Sequence, residues 1–353
     1  MSQPSTVAAH RSGRSPQAKL AALRTAFAAL CILVAIALPF LVSSYWTLVA
    51  TNAVLAFAVA APLNMLIGNA GQFSLGNGAF LAVGAYTGAA LTLKFDLELP
   101  VAMLAAAAVG AVAGFVVGLP SLRLRGAYLL MSTLAAHYIV VFAAQKFQTG
   151  EFGAAGAIFP PLRIAGTDLS STRSMYFVIV VFAAIIGLII FNVMRSGFGR
   201  ALEAVKTRDV AAAASGIPVS RMKLSAWSLT SAMIAAGGVL QAYFLGAAAV
   251  EFYTLNLAIT YIAMIIVGGL GSLGGTFLGA CFITLVPVGV NHLSDKYGGE
   301  VGAKNGGVLA HPFELQTVVY GLIIIAFVVL KPEGLVGFVR SARNWATRAL
   351  RGR

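Results

Sequence analysis

Charge is what this chain has least of. Asp, Glu, Lys and Arg make up only 10% of its 353 residues, while 59% are hydrophobic. Ordinary soluble domains carry roughly 25% charged residues, and a soluble fold has no interior large enough to hide this much apolar surface. Uncharged runs recur along the sequence, each long enough to cross a hydrocarbon core of about 30 Å. They do not alternate as the strands of about ten residues in a membrane barrel would. The expected fold class is therefore an all-α polytopic membrane protein.

Other absences narrow the function. Cys31 and Cys281 both fall in apolar runs, which excludes a disulfide framework and leaves two small hydrophobes. With no Cys/His or His/His cluster at ligand spacing, no metal site is expected. No Gly-x-x-x-x-Gly-Lys-[Ser/Thr] loop occurs, so the chain carries no standard nucleotide cradle. No Asp, Glu, Lys or Arg lies inside an apolar run. That argues against a proton-driven transporter and against an intramembrane hydrolase built on paired carboxylates. No catalytic residue and no cofactor are expected. If the chain does uphill work, a partner supplies the energy.

Ten runs read as spans: 25–44, 47–67, 73–93, 100–121, 127–146, 175–194, 224–247, 255–270, 275–291 and 315–330. The first exceeds a signal-peptide core of about 7–15 residues and reads as a retained span. Before it, residues 1–24 form a basic, disordered tail, and 331–353 form a second basic tail. The net charge of +13 would suggest nucleic acid in a soluble protein. Here the positive-inside rule accounts for it, so membrane lipid and not nucleic acid is the expected contact. Eighteen of the 24 Lys and Arg fall on one side of the ten-span map, leaving Lys94, Lys146, Arg163, Arg173, Lys296 and Lys304 on the other. Both termini are thus expected in the cytoplasm. The eighth and ninth runs are short. Residues 255–270 reach only about 24 Å as a helix, which fits either tilted crossings or half-helices that re-enter.

Within these runs the sequence repeats itself. "GNAGQFSLGNGAFLAVGA" (68–85) is echoed by "GGLGSLGGTFLGACF" (268–282). Each has Gly-x-x-Gly, then Ser-Leu-Gly, then a Phe-Leu run. Gly68, Gly71 and Gly76 mark the first joint, and Gly268, Gly269, Gly271 and Gly274 the second. Such interrupted segments in two halves point to a transport path or to close helix packing through small residues. His137 lies near the middle of the fifth run in "YLLMSTLAAHYIV", with Thr133 one turn earlier on the same face. It is either a functional group at depth or a neutral imidazole bonded to a neighbouring helix. The loop 195–223 has helical composition over "GRALEAVKTRDVAAAASG", which predicts one surface helix stopped by Gly216 and Pro218. Its charge suits anionic lipid or a partner's groove. The Gly and Pro content of 147–174 marks a loop with room for a short surface helix.

Together these segments resemble the permease subunits of the branched-chain (hydrophobic) amino acid ABC importer family, particularly the longer of its two paired permeases. The resemblance rests on "GNAGQFSLGNGAFLAVGAY", "YLLMSTLAAH", "GRALEAVKTRDVAAAASGIPVSRMKLSAW" and "VGGLGSLGGTFLGA", in that order. It covers roughly residues 45–330. It implies an ABC importer permease fold for 25–330 and a non-catalytic subunit in a bacterial inner membrane. The implied partners are a second permease, two cytoplasmic ATPases and a periplasmic substrate-binding protein. On this resemblance 195–223 is the coupling loop that enters the ATPase, with Glu203, Ala204 and Gly216 matching the family pattern and Arg208 and Asp209 between. Asn69, Gln72, Ser74 and Asn77, with Thr133 and His137, line the path, where helix ends complement a zwitterionic amino acid without fixed charge. The family often has His where Asn77 stands. Relatives carry urea, short amides or small organic acids instead of branched-chain amino acids. A stand-alone channel or secondary carrier is the competing class, and it has no use for a docking loop.

Overall fold

A computed structural model describes residues 36–164, 167–305, 312–330 and 334–337. The two basic tails lie outside these residues, as does most of the first expected span. The chain divides into two compact units, Met1–Thr47 and Leu48–Arg353. The second holds the helical bundle.

The elements follow the apolar runs. Helix α1 (Ser44–Asn64) opens into a π-helical turn (Met65–Asn69), and α2 (Asn77–Phe95) follows after a loop. Next come α3 (Leu99–Gly118) and α4 (Ala127–Glu151). Three short strands follow: β1 (Ala157–Ile158), β2 (Arg163–Ile164) and β3 (Thr167–Asp168). Helix α5 (Thr172–Arg195) leads into the short helices α6 (Gly197–Thr207) and α7 (Asp209–Ala214), then α8 (Val219–Leu245). Strand β4 (Ala247–Ala248) precedes α9 (Leu255–Gly268), α10 (Leu273–Asn305) and α11 (Pro312–Leu330). Among the described residues, eight helices are long and apolar enough to cross a membrane. The tenth expected span falls on α11. The chain is an all-α, multi-pass membrane protein.

Two expectations change. Helix α4 runs past residue 146 to Glu151, and α10 past 291 to Asn305, because hydropathy marks where the hydrocarbon stops and not where intrahelical bonding stops. The loop after α4 carries no surface helix among its described residues. It forms strands instead, with β1 paired antiparallel to β4 and β2 to β3. The short α9 begins at an N-cap, where the Thr254 side chain accepts from the Leu257 N–H at 3.4 Å.

Packing depends on glycine. Between apolar helices in lipid there is no hydrophobic driving force, so close backbone approach and van der Waals contact have to hold them. Helix α8 is the hub. Gly84 and Gly88 of α2 face Ala235 and Val239 of α8, while Gly110, Gly114 and Gly118 of α3 face Ala235, Ser231 and Trp227. The buried stripe of α3 (Leu99, Ala102, Ala106, Gly110, Gly114, Gly118) recurs at helical spacing, and its opposite face exposes Leu104, Val112 and Val116. A Cβ at Gly84 would run into the backbone carbonyl of Ala235, and a backbone atom has no rotamer by which to move aside. Gly84→Ala is therefore expected to destabilise the bundle by about 1–3 kcal/mol. Thermal melting in detergent should fall by several degrees, while Leu104→Ala, at a side chain 73% exposed, leaves it unchanged.

Candidate functional site at the glycine joints

Helix α1 does not end cleanly. Pro62 removes one backbone donor inside it, and the last turn widens so that the Ala70 N–H reaches the Met65 carbonyl at 3.1 Å. Gly71 then takes a left-handed φ of +68°, which favours glycine. The chain runs in an irregular path to Gly76 before α2 begins. The second joint is built alike. Helix α9 stops at Gly268, Gly269 and Gly271 have φ of +120° and +74°, and α10 starts at Leu273.

The two joints touch. A Cβ on Gly68 would lie 2.7 Å from the Gly271 Cα, so only glycine permits the approach. Asn64 clamps the contact from the end of α1. Its Nδ2 donates to Thr276 Oγ1 at 2.6 Å and to the carbonyls of Gly269 and Ser272 at 3.3 Å, and its Oδ1 accepts the Gly271 N–H at 2.8 Å. Sequence reasoning missed Asn64. The available signal was an amide in the apolar stretch "AAPLNML", one turn before the first joint. It also chose Gly274, around which there is open space. The tight positions are Gly275, against Gly268, and Gly279, against Met264.

Five of the six expected path residues come together. Gln72, Ser74, Asn77, Thr133 and His137 are all buried. Gln72 Oε1 accepts from the Trp227 indole N–H of α8, while its Nε2 has no partner among the described residues. Ser74 Oγ accepts the Gly76 N–H at 3.1 Å and so shapes the turn into α2. Thr133 Oγ1 accepts the Leu75 N–H at 3.1 Å and donates to the Leu130 carbonyl at 3.0 Å. His137, one turn on, lies against Gly78, where a Cβ would sit 2.9 Å from the imidazole Cε1. Among the described residues, neither amide atom of Asn77 nor the Nδ1 of His137 has a hydrogen-bond partner. Asn69 stands apart. It lines a cavity of about 350 Å³ with Asn64, Arg195, Glu203 and Gly271.

The expected single surface helix is two. Arg208 is extended (φ −155°, ψ 107°) and separates α6 from α7. The Asp209 carboxylate at the start of α7 holds the bend by pairing with Arg125 at 2.9 Å and with the buried Lys223 at 2.7 Å. Helix α7 then stops at Gly216 (φ +83°), whose N–H bonds the Ala213 carbonyl while the Ile217 N–H bonds that of Ala212. That is the Schellman stop expected of a glycine there. Helix α6 buries Gly199, Leu202 and Val205 and exposes Glu203; Arg208 and Gly216 are exposed too, and Ala204 is half-buried. Lys206 reaches from α6 to the Gly68 carbonyl at 2.5 Å. Beside it a cavity of about 420 Å³ is lined by Gly71, Gln72, Arg125, Lys206, Asp209 and Lys223, among others.

Comparison with known proteins gives the architecture a family. The family described as branched-chain amino acid transport system, permease component, matches residues 45–328. A high-affinity branched-chain amino acid transport system permease protein, LivM, of Salmonella typhimurium is 29% identical over 279 residues, 72% of this chain and 65% of that protein. The chain thus spans about two thirds of that relative's length. LivM of Escherichia coli is 26% identical over 351 residues, covering 91% of this chain and 77% of its own. A probable LivM of Methanocaldococcus jannaschii is 26% identical over 63% of this chain and 65% of its own length. With the match running from α1 into α11, the chain belongs to the permease component family of branched-chain amino acid transport systems.

Proposed function

We propose that this chain is one transmembrane subunit of an ATP-driven importer that carries branched-chain or related hydrophobic amino acids across a bacterial inner membrane. The observation that carries the proposal is the family match over residues 45–328. It works with a second permease, two cytoplasmic ATPases and a soluble binding protein that delivers the cargo. The basic end of the bundle faces the cytoplasm, following the Lys/Arg asymmetry, and residues 195–223 are the coupling loop. Glu203, Arg208 and Gly216 are exposed there and meet the ATPase. ATP-driven movement of α6 and α7 shifts the glycine joints, and the path opens between the two permeases.

The conduit passes the buried polar row from Gln72 to His137. In the interior of a bilayer protein, an unbonded polar atom costs several kcal/mol unless something polar visits it. The Nε2 of Gln72, the amide of Asn77 and the Nδ1 of His137 are held at that cost, which supports their use in passing a solute with an ammonium and a carboxylate.

Two outcomes follow. In proteoliposomes, the four-component complex with its binding protein accumulates labelled leucine only with ATP, and this chain alone accumulates none. Leucine uptake by the isolated chain would remove the ATPases from the proposal. Asn77→Leu keeps the branched shape, though it is bulkier, and deletes two unbonded atoms, so the complex should still assemble and melt at about the same temperature while uptake falls about tenfold or more. Full uptake by that variant would take Asn77 off the path.

A further inference from the structure

We infer that Lys206 is the positioning residue through which the α6–α7 loop holds both glycine joints at once. This rests on the proposed role of that loop in coupling. Among the described residues, the bond from Lys206 Nζ to the Gly68 carbonyl is the one hydrogen bond joining the loop to either joint. It is made where a cation has most to offer. Gly68 lies in the terminal π turn of α1, where the last carbonyls lack intrahelical donors and the helix end is partially negative. The aliphatic stem lies over the same joint, since a Cβ at Gly71 would be 3.0 Å from Lys206 Cγ.

The tie extends past the first joint. Gly68 itself abuts Gly271. Asn64, one turn before Gly68, bonds the Gly271 N–H and the carbonyls of Gly269 and Ser272. A displacement of α6 is thus transmitted through one ammonium to Gly68, and through the Gly68–Gly271 contact to the start of α10. The neighbouring cation is used otherwise: Lys223 is engaged with Asp209 inside the loop's own framework. Lys206 donates to a carbonyl, so a longer cation keeps the function and a neutral, unbranched chain of similar length loses it.

The test uses Lys206→Met and Lys206→Arg in the full complex, with a parallel readout on the full chain in nanodiscs. For the latter, Cys31 and Cys281 are replaced by serine and a nitroxide is attached at Phe73 or at Leu270, which are 42% and 45% exposed. In the complex, Lys206→Met should assemble and hydrolyse ATP at the normal rate while uptake per ATP drops about tenfold, and Lys206→Arg should restore most of it. In nanodiscs, Lys206→Met should raise nitroxide mobility at both positions, and Lys206→Arg should not. Normal uptake per ATP in Lys206→Met overturns the inference. So does a loss of assembly with hydrolysis and uptake falling in proportion, which would make Lys206 a structural strut. If the unaltered complex fails to import with ATP, the proposed function fails instead. The nitroxide result then decides on Lys206, and unchanged mobility at either position counts against it.

Discussion

The contact of Gly68 with Gly271 is the constraint on which the rest of the architecture turns. Two irregular segments, each interrupting an apolar helix, are pressed together with no side chain between them. Irregular backbone at such a place exposes carbonyls and N–H groups that an apolar surround cannot satisfy. Asn64 answers this by bonding three backbone groups and Thr276 with a single amide. Lys206 answers it for the carbonyl of Gly68. Without glycine the segments could not meet, and without these two side chains their meeting would leave backbone groups unbonded.

The same economy runs through the bundle. Helix α8 is buried because α2 and α3 present it with glycines and it offers small residues in return, notably Ser231, Ala235 and Gly238. A bundle packed this way is rigid where backbones interlock. At the joints the irregular stretch from Gly71 to Gly76 has no repeating hydrogen-bond ladder, and side chains, not a helix, fix its path. Rigid helices joined by short non-helical segments are the arrangement in which motion at one end moves whole helices and does not bend them.

Much of this was legible in the sequence. Span positions follow from charge-free length, and the echo of 68–85 in 268–282 marks two segments that are neighbours in space. Gly216 announces its left-handed stop. What sequence could not give was partnership. Asn64 reads as a stray amide until its acceptors, more than 200 residues away, are brought beside it. Gln72 looks free until Trp227 of α8 takes its carbonyl oxygen. The split of one surface helix into α6 and α7 depends on Asp209 finding Arg125 and Lys223, of which Arg125 belongs to a different loop. Helix propensity along "GRALEAVKTRDVAAAASG" favours continuity, and tertiary ion pairing overrides it.

Partnership also sorts the polar residues of the first joint into two kinds. Asn64, Ser74 and Thr133 satisfy backbone groups of their own fold and hold its shape. Among the described residues, Asn77, the Nδ1 of His137 and the Nε2 of Gln72 satisfy nothing. Structure alone would favour apolar residues at the second set of positions, because burying an unbonded polar atom costs more than burying a methyl group of the same size. Their retention is a stability cost beside the first joint, and the buried Tyr253 hydroxyl and Thr284 hydroxyl bear a similar cost elsewhere in the bundle. What sets the first joint apart is that three such residues, Gln72, Asn77 and His137, gather there, which is why the proposed path is drawn through them and not through the scattered others.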